Sequence, residues 1–173
     1  MQKILVVDFG SQYTQLIARR LRELKIYSEV CPWDEITDTQ DVEGFILSGG
    51  PESSNIEGNP NIDSKIFNSG KPILGVCYGM QVLAFQEGGQ IVNEGKKEFG
   101  HAQIKIESKS SIFADTDNNF SVWMSHGDKV ESLPDGYEVI ASSDNSPIAA
   151  FQNQVKNYYG LQFHPEVTHT QYG

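Results

Sequence analysis

Short apolar runs alternate with amphipathic segments along the first half of the chain, and this alternation constrains the fold more than any other feature. The strand candidates cover residues 4–7, 27–31, 45–47 and 73–76, and apolar residues at helical spacing follow the first and the last of them. Continuously apolar strands are typical of parallel sheets, in which crossover helices cover both faces. We therefore predict an α/β fold with a central, mostly parallel sheet and helices on both faces.

Local signals indicate where the first helix begins and which side of it is buried. Ser11 is predicted to cap this helix, and Ile17, Leu21 and Leu24 recur at the spacing of one buried face. Near the other end of the chain, residues 158–163 are predicted to form a strand.

The pattern changes after Gln90, where short alternating segments are separated by turns such as Pro134-Asp135-Gly136. Such segments favour antiparallel pairing, so we predict a smaller antiparallel or mixed portion beside the parallel sheet. No repeat, low-complexity tract or internal linker divides the sequence, and residues 1–173 are interpreted as one domain.

The composition restricts the class of partner and the compartment. A formal net charge of −10, with acidic residues spread along the chain, disfavours nucleic acid or an anionic membrane as partner. No apolar run approaches the roughly 18 residues that span a bilayer, and no leader is recognisable. Because the two cysteines, Cys31 and Cys77, are so few, we predict a cytoplasmic protein without disulfides. Cys31 has no histidine or cysteine at ligand spacing, so no metal site is predicted.

The segment Gly75-Val76-Cys77-Tyr78-Gly79 lies between a predicted strand and a predicted helix. This is the form of a nucleophile elbow, in which the flanking glycines remove side chains that would otherwise collide. The turn places the thiol at a helix N-terminus, where the helix dipole favours the thiolate. The alternative is a buried cysteine that packs as a small hydrophobic residue.

A second motif, His164-Pro165-Glu166, contains the two groups that a thiol nucleophile needs. Proline biases the preceding residue toward an extended conformation, in which residues i and i+2 project to the same side. The histidine is therefore a candidate base and the glutamate a candidate orienting carboxylate. Taken alone, a histidine at a strand end is more often a structural residue.

Glycines that follow the strand at residues 45–47 form a third candidate motif. The N–H groups of Gly50 and of Tyr78, the residue after the nucleophile, are predicted to form an oxyanion hole. An ordinary loop or a phosphate-binding turn remains an alternative, although the lysine and serine or threonine of a P-loop are missing.

Five ordered segments of the chain resemble the class I glutamine amidotransferases. They are residues 7–13 (VDFGSQY), 47–53 (LSGGPES), 75–81 (GVCYGMQ), 123–128 (WMSHGD) and 162–170 (QFHPEVTHT). The resemblance implies a flavodoxin-like fold and the release of ammonia from L-glutamine without a cofactor. It implies a triad of Cys77, His164 and Glu166 and an oxyanion hole at Gly50 and Tyr78. It further implies substrate binding by Gln81, Ser125, Gly127 and Asp128.

The resemblance also implies a partner that accepts the ammonia. In two-domain relatives, an ATP-pyrophosphatase domain follows and uses ATP and Mg²⁺ to aminate xanthosine monophosphate. Because the sequence stops at Gly173, we expect a domain truncated near its C-terminus, with the synthetase domain absent and supplied in cis or as a separate subunit.

Two other functions remain open at this point: a γ-glutamyl peptidase or other cysteine hydrolase, and a non-catalytic flavodoxin-like docking module. The peptidase would prefer γ-glutamyl peptides to free glutamine, and the docking module would form no covalent adduct at Cys77. Asp8 is predicted at the ligand-binding edge of the sheet without a catalytic role. His101 and His126 are each interpreted as lacking a carboxylate in register, although His126 is allowed to line the site.

Overall fold

A computed structural model describes residues 2–50, 58–93 and 97–173. Residues 51–53 of the glycine-turn motif therefore lie outside the described residues. The strands are β1 Lys3–Asp8, β2 Ser28–Pro32, β3 Val42–Leu47, β4 Ile73–Val76, β5 Gln90–Val92, β6 Glu98–Ile106, β7 Asn119–His126, β8 Lys129–Ser132, β9 Glu138–Ser142, β10 Ala150–Asn153 and β11 Tyr158–Leu161. The helices are α1 Thr14–Glu23, α2 Ser64–Asn68 and α3 Tyr78–Gln86, with one turn of 3₁₀ helix at Ser111–Phe113.

Within the described part of the chain, nine strands form one sheet in the order β2-β1-β3-β4-β11-β10-β9-β6-β7. The strands from β2 to β11 pair in parallel, and those from β11 to β7 pair antiparallel. Strands β5 and β8 form a separate antiparallel pair. The predicted α/β class and the change of pairing after Gln90 are confirmed. The antiparallel strands continue the main sheet, because β11 pairs with β4 on one side and with β10 on the other.

Helices cover both faces of the parallel half. Val6 packs with Ile17 and Leu21 of α1 on one face, and its neighbours Leu5 and Val7 belong to the large core that contains α2 and α3. All three β1 residues are at most 5% exposed, as expected for a strand covered on both sides.

Three local expectations differ from the structure. Leu24 is 69% exposed because α1 ends at Glu23 and leaves it beyond the packed face. Tyr13, not Ser11, is the N-cap residue of α1; the Ser11 hydroxyl instead accepts the Tyr13 N–H, at 3.0 Å, in the preceding turn. Strand β11 ends at Leu161, so a short irregular segment connects it to His164.

Both cysteines are free. None of the helices in the described ranges has the length and apolar character needed to cross a membrane.

Candidate active site

Cys77 lies on a sharp turn between β4 and α3, with φ 55° and ψ −109°. A positive φ is unfavourable for a residue with a side chain, so the surrounding packing must hold this conformation. A Cβ on Gly75 would lie 2.6 Å from the Gly79 backbone, and a Cβ on Gly79 would overlap the carbonyl of Leu47. The glycines therefore allow β3, β4 and α3 to approach closely enough to form the predicted elbow.

The Cys77 side chain is held at the junction of several elements. The backbone N–H of Cys77 donates to the carbonyl of Leu161, at 2.7 Å, and thereby joins the elbow to the end of β11. The sulfur lies 3.4 Å from the Ser125 carbonyl oxygen and 3.7 Å from Nε2 of Gln162. The residue is 7% exposed, so the thiol has access to a cavity while most of its surface is covered.

His164 and Glu166 form a buried pair beside the elbow. Each is 3% exposed, and Nδ1 of His164 donates to Oε1 of Glu166 at 2.5 Å. The backbone is fixed by three further bonds: His164 N–H donates to the Trp123 carbonyl, the Thr170 hydroxyl donates to the His164 carbonyl, and Nε of Arg20 donates to the Glu166 carbonyl. The imidazole is therefore locked in one orientation.

Burial lowers the pKa of His164, but hydrogen bonds with Cys77 and Glu166 and their negative charges outweigh burial and raise it to about 10. At neutral pH the ring therefore carries a proton on each nitrogen. This charge state suits a histidine that delivers a proton to a leaving group.

The glycine turn after β3 reaches the elbow. Tyr78 is the first residue of α3, so its N–H has no acceptor within the helix. Gly79 N–H donates to the Ser48 carbonyl at 3.0 Å, which attaches the turn to the helix. A Cβ on Gly50 would lie 2.9 Å from both Phe9 and Tyr78, so the close approach requires glycine here.

A cavity of about 190 Å³ opens beside the thiol, and the residues predicted to bind substrate are part of its lining. It is lined by Gly50, Cys77, Tyr78, Gln81, Asn93, Lys97, Phe99, Ser125, His126, Gly127 and Asp128. We call it the first cavity. Nε2 of Gln81 donates to the Asp128 carbonyl at 2.8 Å and to Oε1 of Gln162 at 3.2 Å. Both bonds use Nε2, so Gln81 braces the wall and would contact a ligand through Oε1.

The interpretation of His126 as lacking a carboxylate in register was wrong. The β6–β7 pairing sets Glu98 opposite His126, and Nε2 lies 2.8 Å from Oε1 of Glu98. Nδ1 lies 2.8 Å from the Asp128 carbonyl, so the histidine braces the same wall as Gln81. Burial raises the pKa of Glu98, but hydrogen bonds from His126, Ser146 and Ser143 prevail and lower it below its usual value. Sequence reasoning missed Glu98 because only the register of the hairpin reveals it.

Asp8 and His101 do not join the triad. Oδ1 of Asp8 accepts the Gly10 N–H at 2.7 Å and the Thr14 hydroxyl at 3.0 Å, so this carboxylate shapes the turn before α1. His101 is exposed on β6, where it packs edge-on against Trp123 and His169.

The fold and the arrangement around Cys77 define a class of protein. Residues 5–173 match the family Glutamine amidotransferase class-I, and the chain belongs to this family. It is 51% identical over 175 residues to a GMP synthase [glutamine-hydrolyzing] of Vibrio parahaemolyticus, covering 99% of this chain and 34% of that relative. The corresponding protein of Pectobacterium atrosepticum is 49% identical over 183 residues, with 99% and 35% covered. The chain thus spans about a third of the length of the curated relatives it matches.

Solved structures agree with this family. A candidate GMP synthase component from Thermoplasma acidophilum superposes with a TM-score of 0.85 at 32% identity, covering 99% of this chain and 88% of that one. A glutamine amidotransferase from Thermotoga maritima has the same fold, with a TM-score of 0.78 at 20% identity and coverage of 96% and 76%.

Proposed function

We propose that this chain hydrolyses the side-chain amide of L-glutamine through a γ-glutamyl thioester on Cys77 and supplies the ammonia to a synthetase that converts XMP to GMP. The observation that carries the proposal is a strained, nearly buried Cys77 between the locked His164–Glu166 pair and the first cavity. The names of the relatives support the identity of the final acceptor.

In the first step, the Cys77 thiolate attacks the side-chain amide carbon of glutamine and a C–S bond forms. The N–H groups of Gly50 and Tyr78 donate to the resulting oxyanion. The C–N bond then breaks as His164 transfers its proton to the departing nitrogen, and ammonia leaves. The raised pKa of His164 keeps this proton available at neutral pH.

In the second step, water hydrolyses the thioester. His164, now neutral, removes a proton from the water as its oxygen attacks, and the C–S bond breaks to release glutamate. The Cys77 thiolate and the His164 imidazolium are restored. Glu166 acts throughout by holding Nδ1 and by stabilising the imidazolium.

Substrate recognition is assigned to Gln81 and to residues 125–128, which comprise the end of β7 and the two residues before β8. Asp128 is 4% exposed and lines the first cavity, where its carboxylate suits the α-ammonium group of glutamine. The chain supplies nucleophile, acid and base from its own side chains, so we assign no cofactor to it. ATP and Mg²⁺ belong to the synthetase, an ATP-pyrophosphatase domain that lies in cis or in a separate chain. We place both activities in the cytoplasm.

Reaction with 6-diazo-5-oxo-norleucine, an electrophilic glutamine analogue, tests the site by intact-mass analysis. We expect one adduct on wild type, none on Cys77→Ala, and protection by free glutamine. Stronger protection by γ-glutamyl peptides than by glutamine would indicate the peptidase instead. The absence of an adduct would indicate a docking module.

The acceptor is tested by mixing the chain with a separately purified ATP-pyrophosphatase domain, together with ATP, Mg²⁺ and XMP. We expect glutamine to replace ammonium salts as nitrogen source for GMP with wild type, and not with Cys77→Ala. Dependence on ammonium in both mixtures would refute the assignment of the partner.

A further inference from the structure

A second cavity, of about 300 Å³, meets the first cavity at the nucleophile. The two share Gly50, Cys77 and Ser125, so the sulfur lies at their junction. His164 lines the second cavity but not the first, and residues 10–13 and Gly49 supply the remaining wall. The lining of the second cavity thus includes most of a sequence motif, residues 7–13, that the hydrolysis mechanism does not use.

The wall of the second cavity is built around the imidazole. The Tyr13 ring packs edge-on against His164, with ring centroids 5.1 Å apart. A Cβ on Gly49 would lie 3.2 Å from Oγ of Ser11 and 3.4 Å from Cε1 of His164, so a side chain at position 49 would narrow the space next to the ring. The Tyr13 N–H donates to Ser11, which fixes the turn that carries both residues. Gln12 is exposed at the rim.

The position of His164 determines on which side of the Cys77 sulfur ammonia and water lie during the reaction. In the proposed mechanism the departing nitrogen receives its proton from His164, and the attacking water later gives a proton to the same ring. Both small molecules must therefore lie on the side of the sulfur that faces His164. The residues assigned to recognise glutamine, including Asp128 for its α-ammonium group, line the first cavity, so the glutamyl group occupies that side.

We propose that the second cavity is the binding site and path for the small molecules of the reaction: ammonia leaves through it, and water or a small neutral amine enters through it to reach the thioester. In the amine reaction, nitrogen attacks the thioester carbon, a C–N bond forms, the C–S bond breaks, and His164 accepts the proton lost by nitrogen. Tyr13 acts as a positioning residue that limits the size of the entering group. This proposal rests on the proposed function.

The test measures how the thioester divides between water and added amines. The chain is incubated with glutamine and either hydroxylamine or O-benzylhydroxylamine, and the ratio of amide product to glutamate is measured. This ratio depends only on events after the thioester forms, so a slow first step does not affect it. Tyr13→Ala removes the ring, Tyr13→Phe keeps it, and Phe99→Ala enlarges the first cavity as a matched control.

We expect Tyr13→Ala to raise the product ratio for the benzyl compound roughly tenfold, equivalent to about 1.4 kcal/mol between competing transition states. The ratio for hydroxylamine should change little, and Tyr13→Phe and Phe99→Ala should leave the product ratio for the benzyl compound at its wild-type value. In addition, Gln12→Trp should obstruct the rim and let the acyl-enzyme accumulate in intact-mass spectra. If Phe99→Ala raises the benzyl ratio and Tyr13→Ala does not, the amine enters through the first cavity and the proposal is wrong.

Labelling by 6-diazo-5-oxo-norleucine, with protection by glutamine, is measured on every variant. If Tyr13→Ala is labelled normally but shows no change in the product ratio for the benzyl compound, the result counts against the second cavity alone. If wild type itself is not labelled, the proposed function is wrong, whatever the second cavity does.

Discussion

Replacing Glu166 by glutamine keeps the shape of the side chain and removes the negative charge beside His164. The two residues are each 3% exposed and their hydrogen bond is 2.5 Å long, so water cannot replace the lost partner. A hydrogen bond to an ionised group contributes about 1.5–3 kcal/mol. If this contribution is lost only in the transition state, the rate falls by about 10- to 150-fold.

The amide of the glutamine side chain has two different ends, and one of its orientations gives a larger loss. If its NH₂ group faces Nδ1, the ring is held as the tautomer protonated on the other nitrogen, which cannot accept a proton from water. A comparable substitution in a serine-protease triad costs about 10⁴ in rate. We therefore expect kcat of Glu166→Gln to lie about 10- to 10⁴-fold below wild type, and above Cys77→Ser.

The pKa of His164 supplies an independent measurement. Glu166 raises this pKa through its hydrogen bond and its charge, so its removal should lower the value from about 10 toward the ordinary 6.5. Labelling of Cys77 needs a proton donor beside the thiolate, so the high-pH limb of the labelling profile should move to lower pH. Glu98→Gln is the control, because it makes the same change in a buried pair that does not contain His164. The high-pH limb of its labelling profile should stay at the wild-type pH. The reasoning is refuted if Glu166→Gln is as inactive as Cys77→Ser or leaves the profile unchanged.

Three further results are expected. Glu98→Gln should raise KM for glutamine about tenfold with a smaller effect on kcat, because a charged hydrogen bond that braces the substrate wall is lost; steady-state kinetics that show the opposite split would contradict this role. Gly79→Ala should lower the free energy of unfolding by about 1–3 kcal/mol and reduce labelling of Cys77, because its Cβ overlaps the Leu47 carbonyl. Gly127→Ala, whose Cβ would lie at least 3.7 Å from its neighbours, should unfold like wild type in the same denaturant titration. Because the pKa of His164 is raised in the folded state, its charged interactions should stabilise the fold fully below pH 6.5 and be lost as pH rises through about 10. The difference in unfolding free energy between wild type and His164→Gln should shrink over that range, and a difference that grows with pH would show that the sign is wrong.

The local parts of the site were predictable from the sequence. Cys77 with its two glycines describes a single turn, whose conformation depends on steric contacts among neighbouring residues. His164 and Glu166 are separated by one proline, so their proximity also follows from local geometry. The alternation of apolar runs and helical segments predicted the parallel half of the sheet for the same reason, since strand and helix periods are short-range properties.

The tertiary structure decided what depends on register and on packing across the sheet. Glu98 meets His126 only because β6 and β7 pair in one register, and no periodicity within either strand specifies that choice. Arg20 donates to the Glu166 carbonyl from 146 positions earlier in the sequence. The second cavity likewise exists because the β1–α1 turn, the turn after β3 and the segment carrying His164 come together at the carboxyl ends of the parallel strands. The sequence by itself therefore identified the groups that we propose to do the chemistry, whereas long-range packing determined which residues hold them and which cavities adjoin them.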